Sequence, residues 1–131
     1  MITQSVKIYF VSQLQNLFQN CDVVDAAMVA TLDGRLCAEK QRADYPSERA
    51  AVMGSSLMAL SDAIARELSL GFCDIVISEN EKGLVLFNHI NNDFVLICVT
   101  ASKNGLGTLL SWARATAQET AKNMPKDATL L

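Results

Sequence analysis

The sequence predicts an α/β fold of the α+β kind, in which helices flank both faces of a five-stranded antiparallel sheet. The segments read in the order α-β-β-α-β-β-β-α, and Asp33-Gly34 separates the first two strands. Asp-Gly between apolar runs favours a tight hairpin, because glycine adopts a positive φ without steric cost. The fourth and fifth strand segments are continuously apolar, which indicates that both faces of the sheet are covered.

The first half of the chain supplies two helices and two strands. Apolar residues at helical spacing predict a first helix at about Thr3 to Asn20. Strands are expected over Val24 to Leu32 and over Arg35 to Glu39. A second helix is expected to run from Ser47, a candidate N-cap, to about Leu70, and Gly71 is expected to end it.

The second helix carries two different stripes. Small residues, among them Gly54, form one strip, and a glycine inside a helix costs about 1 kcal/mol against alanine. Because small residues let another backbone come close, we expect this strip to face a partner. Large apolar residues recur at steps of three and four, and we expect this second stripe to face the core: Ala50, Met53, Leu57, Leu60, Ile64 and Leu68.

The second half of the chain predicts a meander of three strands and a last helix. The strands are expected over Phe72 to Ser78, Leu84 to Ile90 and Phe94 to Val99, with polar turns between them. The helix is expected at about Leu106 to Lys122. With short loops the strands pair antiparallel, so the covering of both sheet faces implies a two-plus-one division of the three helices.

Length and composition exclude several classes of protein. A chain of 131 residues is most simply one domain, over 1–124, with a flexible tail at 125–131. The net charge of −3 and the lack of a Lys/Arg cluster disfavour nucleic acid as a partner. We expect a cytoplasmic protein without membrane insertion, because no segment looks like a membrane span, a secretory signal or a lipidation motif. The apolar fraction of 50% is high for this length and favours self-association.

Few residues point to catalysis, a metal or a cofactor. The cysteines at 21, 37, 73 and 98 form neither a CxxC pair nor a zinc pattern, so we expect small buried hydrophobes. His89 is the single histidine and lacks an evident catalytic partner, which favours a structural role. Gly105-Leu106-Gly107 precedes a helix, but the dinucleotide signature is incomplete because position 110 is leucine. We expect no catalytic residue, no metal and no cofactor.

Several short motifs occur in a fixed order along the chain: Leu32-Asp33-Gly34 with Ala38, Glu48-Arg49-Ala50-Ala51, Glu67-Leu68-Ser69-Leu70-Gly71, and Gly105-Leu106-Gly107-Thr108-Leu109-Leu110. Together with the apolar meander, and over about Val6 to Ala121, this order resembles the Roadblock family. That family includes dynein light chains, lysosomal scaffold subunits and MglB-type bacterial regulators of small GTPases.

The resemblance implies a profilin-like sandwich, with the first and last helices on one face of the sheet and the second helix on the other. It also implies a homodimer in which the third strands pair and the second helices lie side by side. In this sequence the implied dimer interface comprises Ala51, Gly54, Ser55, Met58, Ala59, Asp62, Phe72, Cys73, Asp74, Ile75, Val76 and Ile77.

The resemblance further implies a non-catalytic protein that binds a Ras-like small GTPase and regulates it, as an activator or a co-regulator. The candidate partner-binding residues lie on the second helix: Glu48, Arg49, Val52, Ser56, Ala63 and Arg66. Alternatives stay open: a scaffold or adaptor subunit of a multiprotein complex, a small-molecule-sensing domain and, least favoured, an enzyme that uses Cys73 and His89.

Overall fold

The computed structural model describes residues 2–126 and 128. It confirms the order of elements, whose bounds are α1 (Gln4–Asn20), β1 (Ala26–Thr31), β2 (Leu36–Gln41), α2 (Ser47–Glu67), β3 (Ile75–Asn80), β4 (Gly83–His89), β5 (Phe94–Thr100), a single 3₁₀ turn (Lys103–Gly105) and α3 (Leu106–Lys122). The five strands form one antiparallel sheet, also as expected, in the order β2-β1-β5-β4-β3.

The helices cover both faces of the sheet and create two cores. On one face, α1 and α3 pack side by side, and Tyr9 Oη donates a hydrogen bond of 2.8 Å to Thr120 O. This core includes Phe10 and Phe94, whose rings meet edge to face with centroids 5.0 Å apart. On the other face α2 packs alone over a smaller core. The continuous apolar character of β4 and β5 is therefore explained, because both of their faces are buried.

The β1–β2 hairpin is looser than the predicted two-residue turn. Four residues, 32–35, connect the strands, and Gly34 N–H donates a 3.0 Å bond to Thr31 O. Gly34 has a φ of 99°, so the glycine is required where the sequence placed it. The strands are shorter than expected at the turn because Thr31 N–H bonds to Arg35 O and closes the ladder there.

Both ends of α2 differ from the prediction. Ser47 is the first helical residue and not the N-cap; its hydroxyl accepts a bond from the Gln41 side chain. The helix ends at Glu67, where Ser69, with a φ of 56°, takes the left-handed position that was expected for Gly71. Leu70 N–H donates 2.8 Å to Ala65 O and Ser69 N–H donates 3.1 Å to Arg66 O, which is the Schellman pattern of a helix end.

Two further boundaries bear on the predictions. Strand β3 begins at Ile75, so Phe72, Cys73 and Asp74 precede it instead of opening it. Only residues 125, 126 and 128 of the predicted tail are described, and the remainder lies outside the described residues. Ala128 is buried against the α1/α3 core.

Helix α2 approaches the sheet closely through small residues. Ser55 Oγ donates a buried bond of 2.8 Å to Thr31 O, which joins the helix to the end of β1. A Cβ placed on Gly54 would lie 2.9 Å from Phe87 Cε1 and 3.0 Å from Ile97 Cδ1. An alanine at this position would therefore force the side chains of Phe87 and Ile97 to move.

We predict that Gly54→Ala lowers the free energy of unfolding by about 1–3 kcal/mol, because the added methyl overpacks the contact with Phe87 and Ile97. The loss outweighs the gain of about 1 kcal/mol that alanine brings to a helix. Urea unfolding followed by circular dichroism measures the net change in the free energy of unfolding. Gly107→Ala in α3 is the matched control, since a Cβ there meets no atom within 4 Å. A loss at Gly107 equal to that at Gly54 would contradict the packing explanation.

Candidate functional site

The side of α2 that points away from the sheet is apolar and exposed. Met53, Leu60, Ile64 and Leu68 each expose more than half of their surface, and we call these four residues the outer face of α2. They recur at steps of seven, four and four, so they share one side of the helix. Folded proteins rarely expose a contiguous apolar surface without a function, so the outer face is a candidate interaction site.

The predicted burial of the two stripes of α2 is wrong, because the structure exposes most of the large apolar stripe and buries small residues. The large apolar stripe was expected in the core, yet four of its members form the outer face and only Ala50 and Leu57 are half-buried. Four residues of the predicted dimer interface, three of them small, instead lie buried against the chain's own sheet: Ala51, Gly54, Ser55 and Met58. Periodicity separates two sides of a helix, but the helix–sheet distance decides which side is inside.

The remaining residues of the predicted interface lie at the C-terminal half of α2 and along β3. Ala59, Phe72 and Asp74 are exposed, and Phe72 shows 89% of its surface. Asp62 and Cys73 are half-buried, and the β3 residues Ile75, Val76 and Ile77 range from half-buried to exposed. These residues stay accessible to a partner, in contrast to the four buried ones.

Strand β3 is an edge of the sheet. It pairs with β4 on one side, and on its other side no strand from the described part of the chain pairs with its backbone N–H and C=O groups. An open edge of this kind is a template for pairing with another chain. The apolar residues Ile75, Val76 and Ile77 lie in the first half of this edge.

Asp62 joins α2 to the end of β4. Its carboxylate lies 3.0 and 3.2 Å from His89 Nε2, and both side chains are about one fifth exposed. The backbone N–H of His89 also donates 3.0 Å to Asp74 O, next to the segment that leads into β3. His89 thus connects the end of β4 to α2 and to the segment before β3.

Cys73 lacks the environment of a nucleophile. Burial raises the pKa of its thiol, and the nearby carboxylates of Asp62 and Asp74 raise that pKa further. A reactive cysteine needs the opposite shift, toward the thiolate. The Nε2 atom of His89 is meanwhile engaged with Asp62. This arrangement gives no support to an enzyme that uses Cys73 and His89.

The six predicted partner-binding residues are all exposed. Arg49, Ser56 and Ala63 follow one flank of the outer face, at steps of seven. Val52 exposes 56% of its surface and continues that flank. Glu48 and Arg66 lie near the two ends of the helix.

Within residues 2–126 and 128, no three His, Cys, Asp or Glu side chains come together in a group that could hold a metal ion. Over the same residues, no helix is both long and apolar enough to cross a bilayer.

The fold is shared with solved structures of low sequence identity. Gliding protein MglB from Thermus thermophilus is 14% identical, with a TM-score of 0.83 over 95% of this chain and 94% of that one. A structure of MglB with a tetrameric arrangement is 15% identical, with a TM-score of 0.80 over 95% and 93%. A Roadblock/LC7 domain from Streptomyces avermitilis is 15% identical, with a TM-score of 0.76 over 86% and 94%.

The chain has the Roadblock/LC7 fold. The resemblance noted from the sequence motifs is confirmed at this level. No family model and no curated protein matches the sequence. The element order and the five-stranded antiparallel sheet are those of the Roadblock/LC7 fold.

Sequence reasoning missed that the four large apolar residues of the outer face are exposed. The signal was present in Gly54, because a glycine amid small residues in a long helix indicates close packing on that side. Leu70 and Phe72, which are strongly exposed, extend the apolar surface beyond the helix end.

We predict that Ellman's reagent labels Cys73 first and slowly at pH 7, and faster as the pH rises toward its raised pKa. The thiol is protonated below that pKa, and only the thiolate reacts. Cys73→Ser provides the control: the native variant should stay unlabelled over the same period, because the cysteines at 21, 37 and 98 are buried. Rapid labelling at pH 7, or equal labelling of the variant, would contradict this prediction.

Proposed function

We propose that this protein is a homodimeric, non-catalytic interaction protein that binds and regulates a small Ras-like GTPase. The observation that carries the proposal is the exposed outer face of α2, beside an open sheet edge at β3. Apolar side chains in this number need a protein surface to cover them. A binding role fits a chain whose most conspicuous surface feature is apolar contact area.

The outer face of α2 is the part of this surface that we assign to a second copy. Full burial of a leucine-sized side chain contributes about 1.5–3 kcal/mol. In a twofold dimer each residue of the outer face is buried twice, once in each protomer. Leu60 and Ile64 lie at its middle, and β3 of each copy offers backbone groups for pairing across the same interface.

The similar structures support self-association. One of them holds MglB in a tetrameric arrangement, and another is the gliding protein MglB. We extend from them to this chain the capacity to assemble with itself. The proposed role in GTPase regulation rests on the family that the sequence motifs resemble.

We assign the GTPase contact to the exposed flank of α2 that carries Arg49, Ser56 and Ala63, together with Arg66. No carboxylate among residues 2–126 and 128 lies within ion-pair distance of Arg49 or Arg66, so both guanidinium groups are available to a partner. Arginine is enriched at the energetic centres of interfaces. The two residues are contact residues in this proposal, and the GTPase supplies its own catalytic groups.

We predict that Leu60→Glu weakens the dimer by at least about 100-fold, because a carboxylate would be buried without a partner in the interface. Sedimentation equilibrium measures the change. The matched control is Ile8→Glu on α1, because Ile8 and Leu60 are each 60% exposed in the single chain. Both variants should fold, since neither side chain supports a core.

Two results would overturn the dimer. The first is a wild-type protein that stays monomeric at tens of micromolar. The second is an Ile8→Glu variant that dissociates as much as Leu60→Glu, since that would remove the assignment to the outer face.

We predict that the protein changes the rate of GTP hydrolysis by a Ras-like GTPase encoded beside it. The combined change of Arg49 and Arg66 to alanine should weaken binding by about tenfold or more, by the loss of charged contacts. Single-turnover hydrolysis and binding by calorimetry measure the two effects. Arg35→Ala is the control, because Arg35 is exposed on the β1–β2 hairpin and paired with Asp33.

The outcome also separates the alternatives. Binding without a change in rate, together with stable co-purification of a different protein, would favour a scaffold or adaptor subunit. The absence of both binding and a rate change would overturn the regulatory proposal, while the dimer assignment would stand on its own test.

A further inference from the structure

A cavity of about 500 Å³ lies on the face of the sheet opposite to α2, between α3 and the end of β4. Asn88 and Ile90 contribute to it from β4 and the residue that follows, and Arg114, Gln118 and Lys122 contribute from α3. Asp74 and His89 complete the polar lining. Pockets that bind small molecules have volumes of roughly 300–1,000 Å³, so this cavity has room for one.

Asn88 is an unusual residue for its position in the sheet. It alternates with Leu84 and Leu86 on the face of β4 that α1 and α3 cover, and both of those leucines are fully buried. Asn88 itself is only 6% exposed, and its Nδ2 has no hydrogen-bond partner among the described residues. A buried polar group without a partner costs about 1–3 kcal/mol.

The presence of asparagine needs an explanation, because a leucine at this position would avoid the cost and continue the apolar face of the strand. The terminal torsion of asparagine is broad and roughly two-fold, so a turn of the amide presents its nitrogen to the adjoining cavity. A ligand in the cavity can then accept the hydrogen bond that the protein leaves unmade.

The α3 side of the cavity supplies further donors. Arg114, Gln118 and Lys122 are spaced by four residues and therefore share one side of the helix. Neither cation lies within ion-pair distance of a carboxylate in the described part of the chain. The lining thus holds two amides and two cations that have no carboxylate partner among residues 2–126 and 128, opposed by the single carboxylate of Asp74.

We propose that this cavity binds a small molecule through a carboxylate group. The carboxylate accepts from Arg114 and from the Asn88 amide, and Gln118 and Lys122 offer further donors. Ile90 and the alanines of α3 that line the same cavity suit a short carbon skeleton. A phosphate monoester would place a charge near −2 on one group beside Asp74 at neutral pH, whereas a carboxylate group places a charge of −1 there, so the carboxylate is favoured.

The experiment uses succinate as the probe and observes the side-chain NH₂ resonances of Asn88 and Gln118 by ¹H–¹⁵N NMR. Both resonances should shift and saturate with succinate, and shift little with sodium phosphate or sodium chloride at equal ionic strength. Arg114→Gln should raise the Kd for succinate by about tenfold or more, through loss of a charge-assisted bond. Lys103→Gln removes the same charge at the opposite end of α3 and should leave the Kd unchanged.

A second measurement tests the role of Asn88 apart from any ligand. Asn88→Leu should abolish the succinate response and raise the urea midpoint of unfolding, because it removes an unpaired buried amide. A lower midpoint would show that the amide stabilises the fold, and would overturn its role as a ligand donor. The carboxylate proposal is also overturned by a titration that never saturates, by phosphate binding as well as succinate, or by an unchanged Kd in Arg114→Gln.

Discussion

The close contact between α2 and the sheet is the constraint on which the rest of the structure depends. Gly54 lies so near Phe87 and Ile97 that a methyl group has no space, and Ser55 bonds directly to the backbone of β1. A helix held at this distance turns mostly small residues inward, and Met58 is the large side chain that is buried with them. The large apolar residues of the other side are left exposed, and they form the outer face. The surface available to a partner is thus a consequence of how the single chain packs.

The sequence predicts the bounds of an element well where local features of the chain alone determine them. The bounds of α3 and the start of α1 at Gln4, capped by Thr3, agree closely with expectation, because periodicity and a capping side chain specify them. The end of α2 was missed because Ser69 takes a left-handed conformation that glycine adopts more readily. Its backbone bonds to the last turn of the helix fix that choice, and they are not visible in composition.

At the candidate site, the hydrophobic pattern of α2 is not enough to predict which side of the helix is buried. A stripe of large apolar residues is equally suited to a core and to a partner, and α2 has a second side that is small enough to pack inside. What decides is the volume left between helix and sheet, which depends on Phe87 and Ile97 on distant strands. For Asn88 the sequence shows that a polar residue interrupts the apolar strand β4. The structure adds that its Nδ2 has no hydrogen-bond partner among the described residues and that the residue lies beside a cavity.

His89 connects the two faces of the sheet. It lines the cavity on the α3 side, while its ring holds Asp62 of α2 on the other side, and its N–H holds the Asp74 carbonyl beside β3. A ligand in the cavity would therefore lie against His89, the residue that holds Asp62 in the C-terminal half of α2. Asp62 lies one turn before Arg66, which we assign to partner contact, and two residues before Ile64 of the outer face. A contact couples two sites only where it has two discrete arrangements. The hydrogen bond between His89 and Asp62 is such a contact, because the rotation of one side chain makes or breaks it.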